Sequence, residues 1–426
     1  MKRIFLTAGL IVAALCSEAA VTLDYCLERA EENYPLIKKY ALVDKTADLQ
    51  LSDINRSWLP RAGVYGQLTA QNSVPGFPES LQGILSQMGQ PAEGLGKVQY
   101  KLGVDVSQTI WDGGASKSQR RIERASAKES ESALDVQVYA IREKVISLYF
   151  GILLMDEQIE QSNTTLGLLR SNRDLMQSML DGGVAMQSDV DMVEAQMLTV
   201  GQRISEARST VRGYRDMLAI YIGESLEGEE LVKPDAAMPP VMESARPELA
   251  MFDARTRLND ARNAAVSSTV MPKIGLFAQA WYGYPGFNYF ESMIDRNLSF
   301  NIIAGVKVQW NIDAFYTRKN SRRKFALAKR MIESDREVFL FNSGLQTSSQ
   351  IAAINGLRDV MADDGRIVDL RGSVRKAAES QLRNGIIDAN ALLSKITDEN
   401  QARLTATYHE IQLLKNIYEL KNTINR

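Results

Sequence analysis

The chain has 426 residues, 45% of them hydrophobic and 24% charged, a normal globular composition with room for two or three ordinary domains. The formal charge is −2, spread along helical patterns rather than gathered in a block, so there is no basic field for nucleic acid. Composition argues against nucleic-acid binding and names no other function.

Lys2 and Arg3 precede the apolar run Ile4 to Leu15, and small residues follow at Ser17, Ala19 and Ala20. This is the pattern of a secretory signal peptide, residues 1–19, with cleavage after Ala19. Cys16 raises a lipoprotein alternative, but Leu15 stands where a small residue should precede an acylated cysteine. Removal of the signal leaves Cys26 alone, so no intramolecular disulfide is expected and stability must come from packing and assembly. No later apolar run reaches the roughly 18 residues of a membrane helix, which leaves a secreted, periplasmic or outer-membrane β-barrel protein.

From residue 20 a first repeat unit is read to residue 223. Thr22 to Leu51 is helical in pattern, with Thr22 or Asp24 as a cap and a kink or break at Pro35. After Pro60 the period changes to two. Ala62, Val64, Gly66, Leu68 and Ala70 alternate with Arg61, Gly63, Tyr65, Gln67 and Thr69, which predicts a half-buried strand. A loop rich in Gly, Pro, Ser and Gln runs from about Asn72 to Lys97. Val98, Tyr100, Leu102, Val104 and Val106 then lie on one face of a second strand, closing a hairpin over 61–111. Asp112, Gly113 and Gly114 turn the chain into one long helix ending at Leu180. Its apolar seam includes Leu134, Val138, Ile141, Val145, Ile152, Leu169 and Met176, spaced by fours and threes as in a coiled coil. From Leu134 to Leu180 that helix would be a rod of about 70 Å. Gly182 and Gly183 supply the left-handed stop, Ser188 or Asp189 caps the next helix, and Val190, Val193, Met197, Val200, Ile204 and Val211 form the facing seam.

Residues 224–245, with Pro234, Pro239 and Pro240, read as a linker or equatorial segment, and 246–426 as a second repeat. Leu59-Pro60-Arg61 is echoed by Met271-Pro272-Lys273, Trp111 by Trp310, and the turn Asp181-Gly182-Gly183-Val184-Ala185 by Arg383-Asn384-Gly385-Ile386-Ile387. A second hairpin is expected over 273–310, a helix from Ala314 to Leu382, a turn near 383–390 and a last helix from Ala389 to Lys421. In that helix Leu404, Ile411, Leu414 and Tyr418 hold a seam that Thr397, Asn400 and Thr407 interrupt.

The fold class is therefore α+β. Each strand has one apolar and one polar face, as expected of a tilted outer-membrane strand, and Tyr100, Trp111, Trp281, Tyr282 and Trp310 stand at strand ends where aromatic residues favour a membrane interface. Four strands cannot close a barrel, and open edges in lipid cost several kcal/mol per unsatisfied group, so oligomerisation is needed to remove them. A soluble sheet packed on helices, with its polar face in water, is the alternative reading of the same strands.

The residues TLDYCLERAEENYP near the mature start, the RPEL run at Arg246 to Leu249, the repeated strand-loop-strand-long-helix unit and the GGVAMQSDV turn together resemble the TolC-type outer-membrane efflux proteins. The resemblance covers nearly the whole mature chain. It implies a homotrimer in outer-membrane lipid whose twelve strands, four per chain, form one β-barrel, continued by a coiled-coil α-helical tunnel across the periplasm. The helical turns would form the periplasmic tip, docking an inner-membrane transporter and a periplasmic adaptor. Candidate tip and gate residues are Gly183, Ser188 and Asp189 in the first turn and Gly385, Ile387 and Asp388 in the second. The family's closing Arg and Asp positions fall on Ile387, Ala391 and Ser394, which carry no charge and so put a salt-bridge lock of that type in doubt.

No cofactor, metal or catalytic motif is read. His409 is alone on the final helix and is expected as a surface or seam residue, while Gly113 to Ser118 fails the spacing of a phosphate loop. Met155, Met176 and Met197 stand at seam positions. The reading is an exit channel for small molecules exported by a tripartite pump, with a type I protein secretion duct or a non-conducting periplasmic coiled-coil scaffold as alternatives.

Overall fold

The computed structural model describes residues 21–89, 94–239 and 244–425. The signal segment with Cys16, and Pro240 of the linker, lie outside the described residues. Thr22 begins the first helix, α1 (Leu23–Asn33), its hydroxyl accepting the Tyr25 N–H at 3.3 Å. Pro35 has no N–H to continue the ladder, and the helix restarts only at α2 (Ile37–Arg56).

Four strands follow the expected boundaries closely: β1 (Arg61–Ala70), β2 (Val98–Trp111), β3 (Lys273–Tyr284) and β4 (Ser299–Gln309). They form one antiparallel sheet in chain order, so the two hairpins join through β2 and β3. The register lines up Val64, Val104, Ala280 and Ile302 in one row and Gly66, Leu102, Tyr282 and Phe300 in the next. Because side chains alternate, these rows make one continuous apolar face. Its large members Val64, Leu102, Phe300 and Ile302 are exposed in the single chain. The row between them, Tyr65–Gly103–Trp281–Asn301, and the rows on either side, Gln67–Lys101–Gly283–Ser299 and Gly63–Asp105–Gln279–Ile303, make the opposite, more polar face.

The loop read from Asn72 to Lys97 contains a helix, α3 (Glu79–Gln87), and so does the connection between β3 and β4, α8 (Tyr289–Ile294). Phe77, Leu95, Tyr284 and Met293 bury one another there, with Leu85 and Ile294 packed against them. The Tyr284 hydroxyl accepts the Gly96 N–H at 2.7 Å. Helices of one or two turns carry too few residues to show a period, and tertiary burial stabilises them instead.

The helix read as continuous to Leu180 is two, α4 (Ala115–Tyr139) and α5 (Ile141–Asp181), meeting at Ala140. After it come α6 (Gln187–Ile222), α7 (Pro247–Ala265), α9 (Ala314–Arg383) and α10 (Ala389–Ile424). The chain divides into two compact units. One takes in the residues up to Lys39, Ala133–Leu249 and Glu337 onward; the other takes in Tyr40–Ser132, with β1 and β2, and Ala250–Arg336, with β3 and β4. In the first unit the predicted seam is buried at Ile141, Val145, Ile152, Leu169 and Met176 of α5 and at Val190, Val193, Val200, Ile204 and Val211 of α6. The segment read as a linker is tied down where it is described. Leu231 pairs with Val21, the Tyr149 hydroxyl reaches the carbonyls of Val21 and Val232 at 2.8 and 2.6 Å, and Lys233 bridges Glu157 and Glu410 at 3.1 Å each. Among the described residues no helix is long and apolar enough to cross a membrane.

Candidate functional site

The two helical turns have the same backbone design. At the end of α5 the Val184 N–H donates to the Met179 carbonyl at 2.8 Å and the Gly183 N–H to Leu180 at 2.9 Å. At the end of α9 Ile386 donates to Gln381 and Gly385 to Leu382, both at 2.9 Å. This nested pair of bonds satisfies the last carbonyls of each helix and needs a left-handed residue, supplied by Gly183 at φ +74° and Gly385 at φ +71°. Gly182, expected to share that role, is right-handed at φ −79°.

The helix starts differ. Asp388 caps α10, its carboxylate accepting the Ala391 N–H at 2.8 Å. In the first turn neither Ser188 nor Asp189 is the cap. Met186 takes that position, α6 starts at Gln187, and Asp189 on the first helical turn reaches back to accept the Met186 N–H at 2.9 Å. A carboxylate there satisfies an orphan donor and the positive helix end from inside the helix, which is why its short side chain suits either position. Ser188 is exposed.

Packing brings the two turns together. Met176 and Val190 beside the first turn and Leu382, Ala389 and Leu392 beside the second belong to one buried apolar cluster, and Ile387 packs partly against it. Val184, Met186 and Ile386 stay exposed at the ends.

Further along the second hairpin lies a charged layer that the sequence reading missed. Glu399 of α10 is only 4% exposed. Its carboxylate accepts from Arg403 at 2.8 and 3.1 Å and from Arg375 of α9, which also binds Glu379. Beside it, the Thr165 hydroxyl of α5 donates to the Asn400 side chain at 2.6 Å. The seam of α10 runs through Leu392, Ile396 and Glu399, and Thr397 is exposed, so the expected register is one residue off in this stretch. A strict heptad drifts on a straight helix, and a seam counted back from Tyr418 accumulates that drift. The signal that could have found the layer is a glutamate standing a heptad after Leu392.

Burial pushes the Glu399 carboxyl upward in pKa, but the hydrogen bonds from Arg403 and Arg375 outweigh it and hold the group below its usual value. A carboxylate lowered on folding contributes stability that is fully present above its unfolded pKa, about 4.3, and is lost as pH falls through the folded value. The melting-temperature gap between the native chain and Glu399→Gln is therefore expected to be wide at pH 7 and to narrow steadily below about pH 4. His409, expected as a surface or seam residue, has its Nδ1 at 2.8 Å from Asp364, which ties α10 to α9.

The model of the outer membrane efflux protein family matches residues 29–224, from α1 through both helices of the first hairpin. Over residues 29–224 the chain is similar to the outer membrane efflux protein family. The fold extends the likeness over nearly the whole chain. It matches the solved outer-membrane channel OprN at 14% identity and TM-score 0.66, covering 94% of this chain and 89% of that one. The outer membrane protein VceC from Vibrio cholerae matches at 11% identity and TM-score 0.66, covering 94% and 95%. The open-state MtrE outer membrane channel of Neisseria gonorrhoeae matches at 14% and 0.65, covering 94% and 88%. At these identities the likeness establishes the fold: a mostly helical chain with a four-stranded antiparallel sheet among the described residues, shared with these outer-membrane proteins. No curated protein matches the chain.

Proposed function

We propose that this chain is one third of an outer-membrane exit channel, through which small molecules delivered by an inner-membrane transporter and a periplasmic adaptor leave the cell. The observation that carries the reading is the sheet. It has a continuous apolar face exposed across all four strands, and among the described residues β1 and β4 each pair with one neighbour only. A wall with one greasy face, one polar face and two open edges fits a barrel in lipid around an aqueous lumen. Three copies supply twelve strands and remove every edge.

A second apolar surface supports the same assembly. On α9, Leu327, Met331, Val338, Phe341 and Leu345 are all exposed, at spacings of four, seven, three and four. That is a coiled-coil seam without a partner among the described residues, and neighbouring copies would cover it. The two turns would form the periplasmic tip, with Gly183, Ser188 and Asp189 beside Gly385, Ile387 and Asp388. Conduction needs no reacting group, since the transporter supplies the energy.

Detergent extraction of the outer membrane followed by crosslinking is expected to stop at trimer, and the trimer to conduct ions in planar bilayers. A monomer in the soluble periplasmic fraction would instead establish the coiled-coil scaffold. A channel that co-purifies with a protein-secretion transporter would establish the secretion duct.

A further inference from the structure

The two hairpins share their turn but not what braces it. Counting from the left-handed glycine, Arg173 and Arg375 both stand ten residues before it. In the first hairpin Arg173 lies on the surface, reaching among the described residues Asp174 beside it and Glu194 of α6 at 3.7 Å. In the second, Arg375 is mostly buried and bound to Glu379 and Glu399. The position of Glu399, fourteen after Gly385, is held in the first hairpin by Met197.

We propose that Glu399 is a positioning residue of the second turn: clamped between Arg375 of α9 and Arg403 of α10, it holds the helix ends that carry Ile387 and Asp388, whereas the first turn has no such brace and is the looser of the two. The role in the tip rests on the exit-channel reading; the clamp itself does not. Two observations argue that the layer is built for position. Gly372 of α9 lies under the carboxylate, and a Cβ there would stand 3.3 Å from Glu399 Oε1, so the glycine makes room for the charge. The neighbouring charges also penalise a slip. If the end of the hairpin unwinds and α10 slides one turn along α9, Arg375 faces Lys395 in one direction and Arg403 in the other, and in the second case Glu399 faces Glu379. Only the observed pairing gives the mostly buried Arg375 an acidic partner on α10, although the slip towards Lys395 sets Glu399 opposite Arg371. Apolar residues of similar volume stabilise such a layer as well or better, so its distinctive effect is on which pairing forms.

Hydrogen exchange on the detergent-solubilised assembly tests this. In the native chain the amides of 384–388 are expected to exchange at least tenfold more slowly than those of 182–186. Glu399→Gln is expected to raise exchange at 384–388 about tenfold and leave 182–186 unchanged. Equal protection of the two turns in the native chain, or unchanged exchange at 384–388 in the variant, overturns the proposal. If Glu399→Gln does not assemble, Arg375→Met with Glu399→Leu restores a packed neutral layer and is read the same way, with faster exchange at 384–388 expected and native exchange overturning the proposal. Single-channel recording of the same variants separates the two readings. Loosened exchange with unchanged resting conductance keeps the clamp and removes the second turn from closure, and absence of any conductance in the native protein removes the channel reading alone.

Discussion

Replacing Val104 by Arg is expected to prevent stable insertion into the outer membrane. Val104 sits mid-strand in β2, with Val64 on one side and Ala280 on the other, and Ile302 completes the row. If that face meets hydrocarbon, a guanidinium at the midplane costs about 2–4 kcal/mol per chain, and in the proposed trimer three chains incur it together. Adding Ile302→Arg in the same row doubles the penalty to a first approximation. The control is Gln279→Arg, one row away on the opposite face, where Asp105 is its direct neighbour on β2. That substitution is expected to insert normally and shift ion selectivity. Refolding yield into lipid vesicles measures the first effect and bilayer reversal potential the second. Equal insertion of Val104→Arg and Gln279→Arg would mean that the exposed apolar face meets protein or water.

The second large effect is expected at the tip, and the two turns should respond differently. Ile387 packs on the cluster that contains Leu382 and Leu392, so Ile387→Asp loses apolar contact and sets a carboxylate against it, at a cost of roughly 2 kcal/mol or more. Resting conductance should rise, and more than for Ala391→Ser. Asp189→Ala removes an acceptor from the Met186 N–H and is expected to cost about 0.5–2 kcal/mol locally. If three Asp189 carboxylates also approach the channel axis, the variant lowers cation preference as well. Single-channel recording distinguishes the outcomes: unchanged conductance and selectivity would leave Asp189 with its helix-end role only. The oxygen that accepts the Met186 N–H is engaged, which leaves the other to solvent, neighbouring donors or a bound cation.

Much of the architecture is local and therefore legible in the residues. Strand limits at Arg61, Trp111, Lys273 and Gln309 follow from period-two alternation bounded by Pro60, Pro272 and the following glycine or asparagine turns. The helix ends at Asp181 and Arg383 follow from glycines that alone adopt the left-handed stop without strain, and the long seams follow from a repeat sustained over many turns. Exposure of one sheet face also follows from the alternation once the register is known.

What the tertiary structure decided is everything that depends on which distant residues meet. The helices α3 and α8 form because Phe77, Leu95, Tyr284 and Met293 bury one another, and no window of sequence contains that cluster. The joining of β2 to β3 makes one sheet of two hairpins, a pairing that alternation permits but does not select. Asp189 moved from cap to helix interior because either position satisfies the same N–H, and only the chain path into α6 chooses between them. Nothing in the local sequence separates Glu399 from an ordinary surface charge; Arg375, Arg403 and the space over Gly372 enclose it. Periodicity states which face of a helix is buried; the identity of the charges waiting on the facing helix is set by packing, and that is where the two hairpins differ.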